Sequence, residues 1–340
     1  MAKTVLGIDV GYDTLKLALV SGGRVKKTAT ASMPHKLVKE GRVVSTETMG
    51  ELLRTTMKEN GIRAKEASLL LSGEAVFARN ITMPQMNAEQ LVYNLPFEFR
   101  DYITEELKDY VFDYAMISTG KEQTPAPEGE APEKTEKSME LFGVAAPVSL
   151  MNESREMLRK AGLKLSYAAP AQCSYISLIR NLSPDKRPSS NEYCILDLGY
   201  KAVRMYMFKG DTPEASRVLE IGLSSIDDVI AEDFNVDVHL AHTYLLTDYE
   251  GCRGRESCMN AYNNIAIELM RALNFYRFSN PESHLEDVWL CGGGAAIEPL
   301  VAAIAQNLGM TVHLASSLLA GGEEIRDAYT LIQAIGAALV

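Results

Sequence analysis

Three stretches of this sequence combine residue types and spacing that could do chemistry. Leu6-Gly7-Ile8-Asp9-Val10-Gly11 is an apolar run ending in Asp-x-Gly, and Ile195-Leu196-Asp197-Leu198-Gly199 repeats it in the second half of the chain. An aspartate at a strand end can hold a hydrated Mg2+ or orient an attacking water. The glycine lets backbone N–H groups approach a phosphate closely. One Asp-x-Gly is an ordinary turn. Two, at matching places in two halves, predict hairpins that clamp the phosphates of a nucleotide from opposite sides. The third stretch, Val288-Trp289-Leu290-Cys291-Gly292-Gly293-Gly294-Ala295, reads as a strand entering a triple glycine and leaving toward a helix. That layout admits a flat base or sugar and offers a helix N-terminus to an anion. It lacks the G-x-G-x-x-G spacing of a dinucleotide-binding unit.

The elements that must hold these stretches follow from periodicity. Val5–Val20 reads as two strands around a turn at Gly11–Thr14, Thr46–Asn60 as an amphipathic helix, and Ala67–Leu71 as a buried strand. A distinct block then begins: strand Val76–Ile81, a helix opened by an Asn87/Gln90 capping box, strands Tyr110–Ile117 and Met139–Ala145, helix Ser149–Lys160 and strand Lys164–Ala168. The order β-α-β-β-α-β predicts a ferredoxin-like subdomain. Its central strands are joined by Gly120–Ser138, with three prolines, five glutamates, three lysines and no large apolar residue, which predicts a mobile acidic loop. After helix Pro170–Leu182 and the polar stretch Ser183–Asn191, a second half restarts with strands Tyr193–Leu198 and Met205–Phe208. It continues with helices Ser224–Phe234, Val238–Leu246 and Asn260–Phe278, the last being the longest.

Composition narrows the class. The chain has 340 residues, 46% of them hydrophobic, enough for two domains, and a net charge of −11. That balance argues against nucleic acid as a partner. No apolar run is long enough to span a membrane, and the start MAKTVLGIDVG does not read as a signal peptide. The scattered cysteines Cys173, Cys194, Cys252, Cys258 and Cys291 read as free thiols of a reducing compartment, with a regulatory Cys252–Cys258 disulfide as the alternative. His239 and His242 lie three apart on an expected helix, but no acidic or cysteine partner stands at a ligand spacing beside them, so no metal pair is expected there.

Two Asp-Gly hairpins with a strand–GGG–helix element resemble the actin-like ATPase superfamily, which includes sugar kinases and FtsA. Within it the chain is similar to the PilM family of type IV pilus assembly proteins. The resemblance rests on Arg79-Asn80-Ile81-Thr82-Met83-Pro84-Gln85-Met86 with Glu89 and Leu91, on Phe97-Glu98 and Tyr102-Ile103, and on Val144-Ala145-Ala146-Pro147 with Lys160-Ala161-Gly162-Leu163. It rests also on the helix Glu268-Leu269-Met270-Arg271-Ala272-Leu273-Asn274-Phe275-Tyr276 and the closing Ala334-Ile335-Gly336-Ala337-Ala338-Leu339. It implies an α/β, actin-like ATPase fold: two related halves around a nucleotide cleft, with the ferredoxin-like subdomain inserted. Residues 1–78, 169–190 and 328–340 would form the first half and 79–168 the insertion. Residues 191–327 would form the second half, with an outer lobe at about 222–280.

The resemblance also assigns roles. Asp9 and Asp197 would be the catalytic residues, holding Mg2+ through water beside ATP. Gly11, Tyr12, Asp13, Thr14 and Lys16 would form one phosphate hairpin and Gly199, Tyr200 and Lys201 the other. Gly292, Gly293, Gly294 and Ala295 would lie against the adenosine, and Glu268 and Arg271 would reach ribose and base. Two departures predict slow or absent hydrolysis. Tyr12 and Asp13 stand where the family carries a small hydroxyl residue, and Tyr200-Lys201-Ala202-Val203-Arg204 lacks the expected serine or threonine. The implied protein is a cytoplasmic scaffold at the inner face of the cell membrane. It would bind the N-terminal cytoplasmic tail of a PilN-like single-span protein and other pilus assembly proteins, with self-association open, and would not itself enter the membrane. Two alternatives use the same fold. A small-metabolite kinase needs an aspartate for a substrate hydroxyl, and Asp185 lies in a polar loop. An FtsA-like division protein usually ends in a membrane-binding amphipathic helix, whereas this sequence closes on Gly336-Ala337-Ala338-Leu339-Val340.

Overall fold

A computed structural model describes residues 3–121 and 138–339. The first half opens with a three-strand meander: β1 (Thr4–Val10), β2 (Thr14–Ser21) and β3 (Arg24–Ser32). A short hairpin, β4 (Val38–Lys39) and β5 (Arg42–Val43), leads to α1 (Thr46–Glu59) and β6 (Glu66–Leu71). The helix α1 is capped by Ser45, whose side chain accepts from the Thr48 N–H, and it buries Met49, Leu53 and Met57 against the sheet.

The insertion contains β7 (Phe77–Pro84), α2 (Ala88–Asn94), β8 (Tyr110–Lys121) and β9 (Ser138–Pro147). Its sheet has three antiparallel strands in the order β7-β9-β8, over a small core of Ile81, Leu91, Leu95, Phe99 and Leu141. The ferredoxin-like expectation is corrected here. The second helix, α3 (Val148–Lys160), buries Met157 and Leu158 in the same cluster as Leu53 of α1, and β10 (Lys164–Pro170) pairs in parallel with β6. Both belong to the first half's sheet and core, so the insertion is β-α-β-β. Of the expected acidic loop, residues 122–137 lie outside the described residues.

After α4 (Ala171–Asn181) the second half repeats the plan with β11 (Glu192–Leu198), β12 (Val203–Lys209) and β13 (Thr212–Leu219). Then follow α5 (Ser224–Phe234), α6 (Val238–Thr247), α7 (Glu256–Ser279), β14 (Asp287–Cys291), α8 (Glu298–Leu308), β15 (Thr311–Leu314) and α9 (Ala328–Ala338). The strand orders β10-β6-β1-β2-β3 and β15-β14-β11-β12-β13 are the same, with an antiparallel meander on one side and two parallel strands on the other. The repeat read from two Asp-x-Gly stretches therefore extends over five strands. Between the sheets, α4 and α9 share a core: Tyr175, Leu178, Leu331 and Ile335 pack with Tyr193, Ile195 and Trp289. A Cβ on Gly7 would stand 1.8 Å from the Ala334 carbonyl oxygen, so α9 lies directly on β1.

Candidate functional site

The β1–β2 and β11–β12 turns face each other across a cavity of about 300 Å3. Antiparallel register decides what stands at its floor. Asp9 pairs with Lys16 across the first hairpin, and Asp197 pairs with Arg204 across the second. Each hairpin thus carries one carboxylate and one cation at equivalent places. Lys16 Nζ lies 3.0 Å from Asp9 Oδ2. Burial works against the Lys16 charge, but the carboxylates of Asp9 and Asp197 outweigh it and hold its pKa above the ordinary value. Asp197 is shifted upward because it is buried, with Lys16 and Arg204 opposing. Gln333 of α9 donates from Nε2 to Asp197 Oδ2 at 2.9 Å and to the Tyr175 hydroxyl at 2.7 Å, which fixes the second carboxylate from the interlayer helix.

Asp9, Gly11, Tyr12, Asp13, Thr14, Lys16, Asp197, Gly199, Tyr200, Lys201, Gly292 and Gly293 all line this cavity. Gly294, Ala295, Glu268 and Arg271 are not in its lining. Glu268 and Arg271 pair with each other at 2.5 Å, one turn apart on α7. The glycine run is used partly against the protein itself. Gly292 has φ +83°, and a Cβ there would stand 2.5 Å from Asp197 Oδ1, so this glycine lets β14 close onto the second hairpin.

The departures in the first hairpin are built into the fold. Tyr12 donates its hydroxyl proton to Glu74 and accepts from the Gly41 N–H at 2.9 Å. Burial first, then the Glu74 bond, push its phenol up to about 12. Arg204 Nη2 meets Glu74 Oε1 at 2.6 Å, so Glu74 ties both hairpins to the loop after β6. The Thr14 hydroxyl donates to Asp13 Oδ2 at 2.7 Å, and Asp13 Oδ1 lies 3.2 Å from His242 Nε2.

Sequence reasoning missed Arg204, Gln333, Glu74 and His242 as lining or bracing residues. Arg204 had a visible signal: it follows Asp197 at the same spacing at which Lys16 follows Asp9. His242 carries no local signal, because its carboxylate partners, Asp13 and Asp227, come from two other elements. Among the described residues there is no cluster of histidine, cysteine and acidic side chains arranged to hold a metal ion.

Two five-stranded sheets of one order, each presenting an acid–base hairpin to a shared cleft, define the actin-like ATPase fold. A family described as type IV pilus assembly protein PilM matches residues 7–322, and the chain belongs to it. Two solved structures share the fold. The first is a PilM–PilN type IV pilus biogenesis complex, at 24% identity and a TM-score of 0.79, over 98% of this chain and 97% of that one. The second is the ethanolamine utilization protein EutJ from Carboxydothermus hydrogenoformans, at 12% identity and a TM-score of 0.61, over 99% and 89%.

Proposed function

We propose that the protein is a nucleotide-binding scaffold of a type IV pilus assembly complex, with its cleft taking ATP and Mg2+ and its insertion taking the cytoplasmic tail of a PilN-like membrane protein. The observation that carries the nucleotide reading is Lys16, a cation paired with Asp9 and favoured also by the charge of Asp197, in the lining of a cavity walled by two glycine turns. The residues present fit the group: the turns at Gly11 and Gly199 line the cavity without side chains that would bar a phosphate, Lys16 would supply charge to it, and Asp9 and Asp197 would hold hydrated Mg2+. Bound ATP would supply a polyphosphate whose charge and length bias the approach of the two halves. Glu268 and Arg271 remain proposed contacts to ribose and base from α7.

Turnover is proposed to be slow. The Tyr12 hydroxyl is engaged by Glu74 and the Gly41 N–H, and the Thr14 hydroxyl donates to Asp13, which in turn meets His242, so no free hydroxyl stands beside Gly11 to orient a water. Phosphate release at a rate ordinary for an ATPase, abolished by Asp9→Ala, would overturn that part.

Two further observations support the partner reading. The family is one of pilus assembly, and the structurally similar PilM was solved with PilN. The insertion also exposes apolar side chains: Val92 at 66%, Tyr93 at 74% and Phe97 at 44%. Phe97 carries Arg100 over its ring, and Arg79 lies over Tyr102. Among the described residues no helix is long and apolar enough to cross a membrane, so a membrane-spanning partner would supply the attachment. A synthetic peptide of the PilN-type tail should bind the purified protein, with affinity that differs between protein alone and protein with Mg-ATP. No binding in either state would contradict the scaffold reading.

A further inference from the structure

Helix α6 belongs to the second half yet reaches the first at two points. His242 stands with its imidazole between two carboxylates from different elements: Nδ1 lies 2.9 Å from Asp227 Oδ2 of α5, and Nε2 lies 3.2 Å from Asp13 Oδ1 of the first hairpin. One turn earlier, the His239 ring stands edge-on to that of His35, with centroids 4.4 Å apart. Asp227 is only 1% exposed and its Oδ1 has no hydrogen-bond partner, so this buried carboxylate needs a cation beside it. Tyr200, on the second hairpin, completes the pocket: its ring is edge-on to His242 at 5.2 Å.

The position of Asp13 gives this cluster its meaning. A carboxylate on a phosphate-binding turn repels a polyphosphate unless it is neutralised. We propose that His242 is the charge partner that lets an aspartate stand on the phosphate hairpin, and that its bridge from Asp13 to Asp227 braces the first half against the second. The inference rests on the reading of the cleft as a nucleotide site and deepens it. His242 is a positioning residue that acts through Asp13.

The sign of the pH dependence follows from the groups around the ring. Burial lowers the His242 pKa, but Asp13 and Asp227 outweigh it and push it up to about 10, against 6.5 ordinarily. Asp13 is held below its ordinary value, first by the His242 contact and further by Thr14 and Lys16. On the remaining side, Tyr200 is shifted upward by burial, then by Asp227, Asp13 and Asp228, and Lys201 lies over its ring. A raised histidine contributes its full stabilisation below pH 6.5 and loses it as pH climbs through 10; the lowered Asp13 loses its part only in acid. His35 behaves in the opposite sense. Loss of solvent, with His239 and Lys36 adding, holds it below the ordinary value, so its contact with His239 weakens in acid. The bridge is therefore intact at neutral pH and opens in alkali.

Two measurements test this. The first follows the imidazole resonances of the five histidines by NMR from pH 5 to 9, with His242→Gln assigning the signal. His242 should not titrate in that range in the wild type, and should titrate within it in Asp13→Asn. A wild-type His242 signal titrating near 6.5 overturns the proposal. The second measures binding of a fluorescent ATP analogue with Mg2+ at pH 7.5. His242→Gln should weaken it about tenfold, and Asp13→Asn/His242→Gln should recover most of that loss. Equal affinity in His242→Gln and wild type overturns the inference and leaves the nucleotide reading standing. Absence of binding to the wild type overturns the nucleotide reading itself. Where His242→Gln does not fold, the His242 signal is identified as the one whose titration changes between wild type and Asp13→Asn, and the NMR test stands.

Discussion

Lys16 and Arg204 are the clearest case of register deciding a site. Each lies opposite an aspartate in an antiparallel hairpin, so the repeat delivers two acid–base pairs to one cleft floor. Replacing Lys16 by methionine keeps the volume and removes the cation paired with Asp9. Leaving Asp9 without its ion pair should cost about 3 kcal/mol, read as a lower urea midpoint. Because the Lys16 charge is favoured in the fold, the deficit should persist from pH 5 to 9 and shrink only above the ordinary lysine value. Gln333→Ala should cost about 1–2 kcal/mol, since it strips a donor from both Asp197 and the buried Tyr175. The two aspartates and the glycine turns were legible because chemistry and spacing coincide within a few residues. Gln333, Glu74 and His242 were not, because each reaches the cleft from a separate element and nothing local marks its direction.

At the scale of elements, close backbone packing makes sharp predictions. Gly7→Ala would drive a methyl group into the Ala334 carbonyl, so α9 must leave β1, at about 3 kcal/mol. Gly254→Ala, with open space around its Cβ, should change stability by less than about 0.5 kcal/mol. Asn87→Ala removes the α2 capping box, in which Asn87 accepts from the Gln90 N–H and the Gln90 side chain accepts from the Asn87 N–H. It should cost about 1 kcal/mol and weaken tail binding if α2 carries the docking surface. The elements that sequence reading missed have a common physical cause. Strands β3 and β13 are sheet edges with mostly wet faces, and stretches such as Arg24-Val25-Lys26-Lys27 show no apolar alternation. The fourth strand expected of the insertion was a real strand, but its partner, β6, lay nearly 100 residues earlier, and local pattern does not name the sheet a strand joins.

The whole molecule is two copies of one sheet plan joined through α4 and α9, with the cleft bridged at its floor by Gln333 and at its mouth by His242. On the proposed reading, occupancy of the cleft would set the relative position of the halves. The insertion keeps its own small core and touches the second half through Asn80, whose side-chain amide donates to the Pro213 carbonyl at 2.6 Å. Under the proposed function, a change between the halves would reach the insertion through this contact. The cleft between the two hairpins is the proposed nucleotide site on which the nucleotide-binding scaffold depends. Titration calorimetry with ATP and Mg2+ tests it directly. One nucleotide should bind per chain, and Lys16→Met, shown to be folded, should lose at least tenfold in affinity. No binding to the wild type, or unchanged binding to folded Lys16→Met, would contradict it.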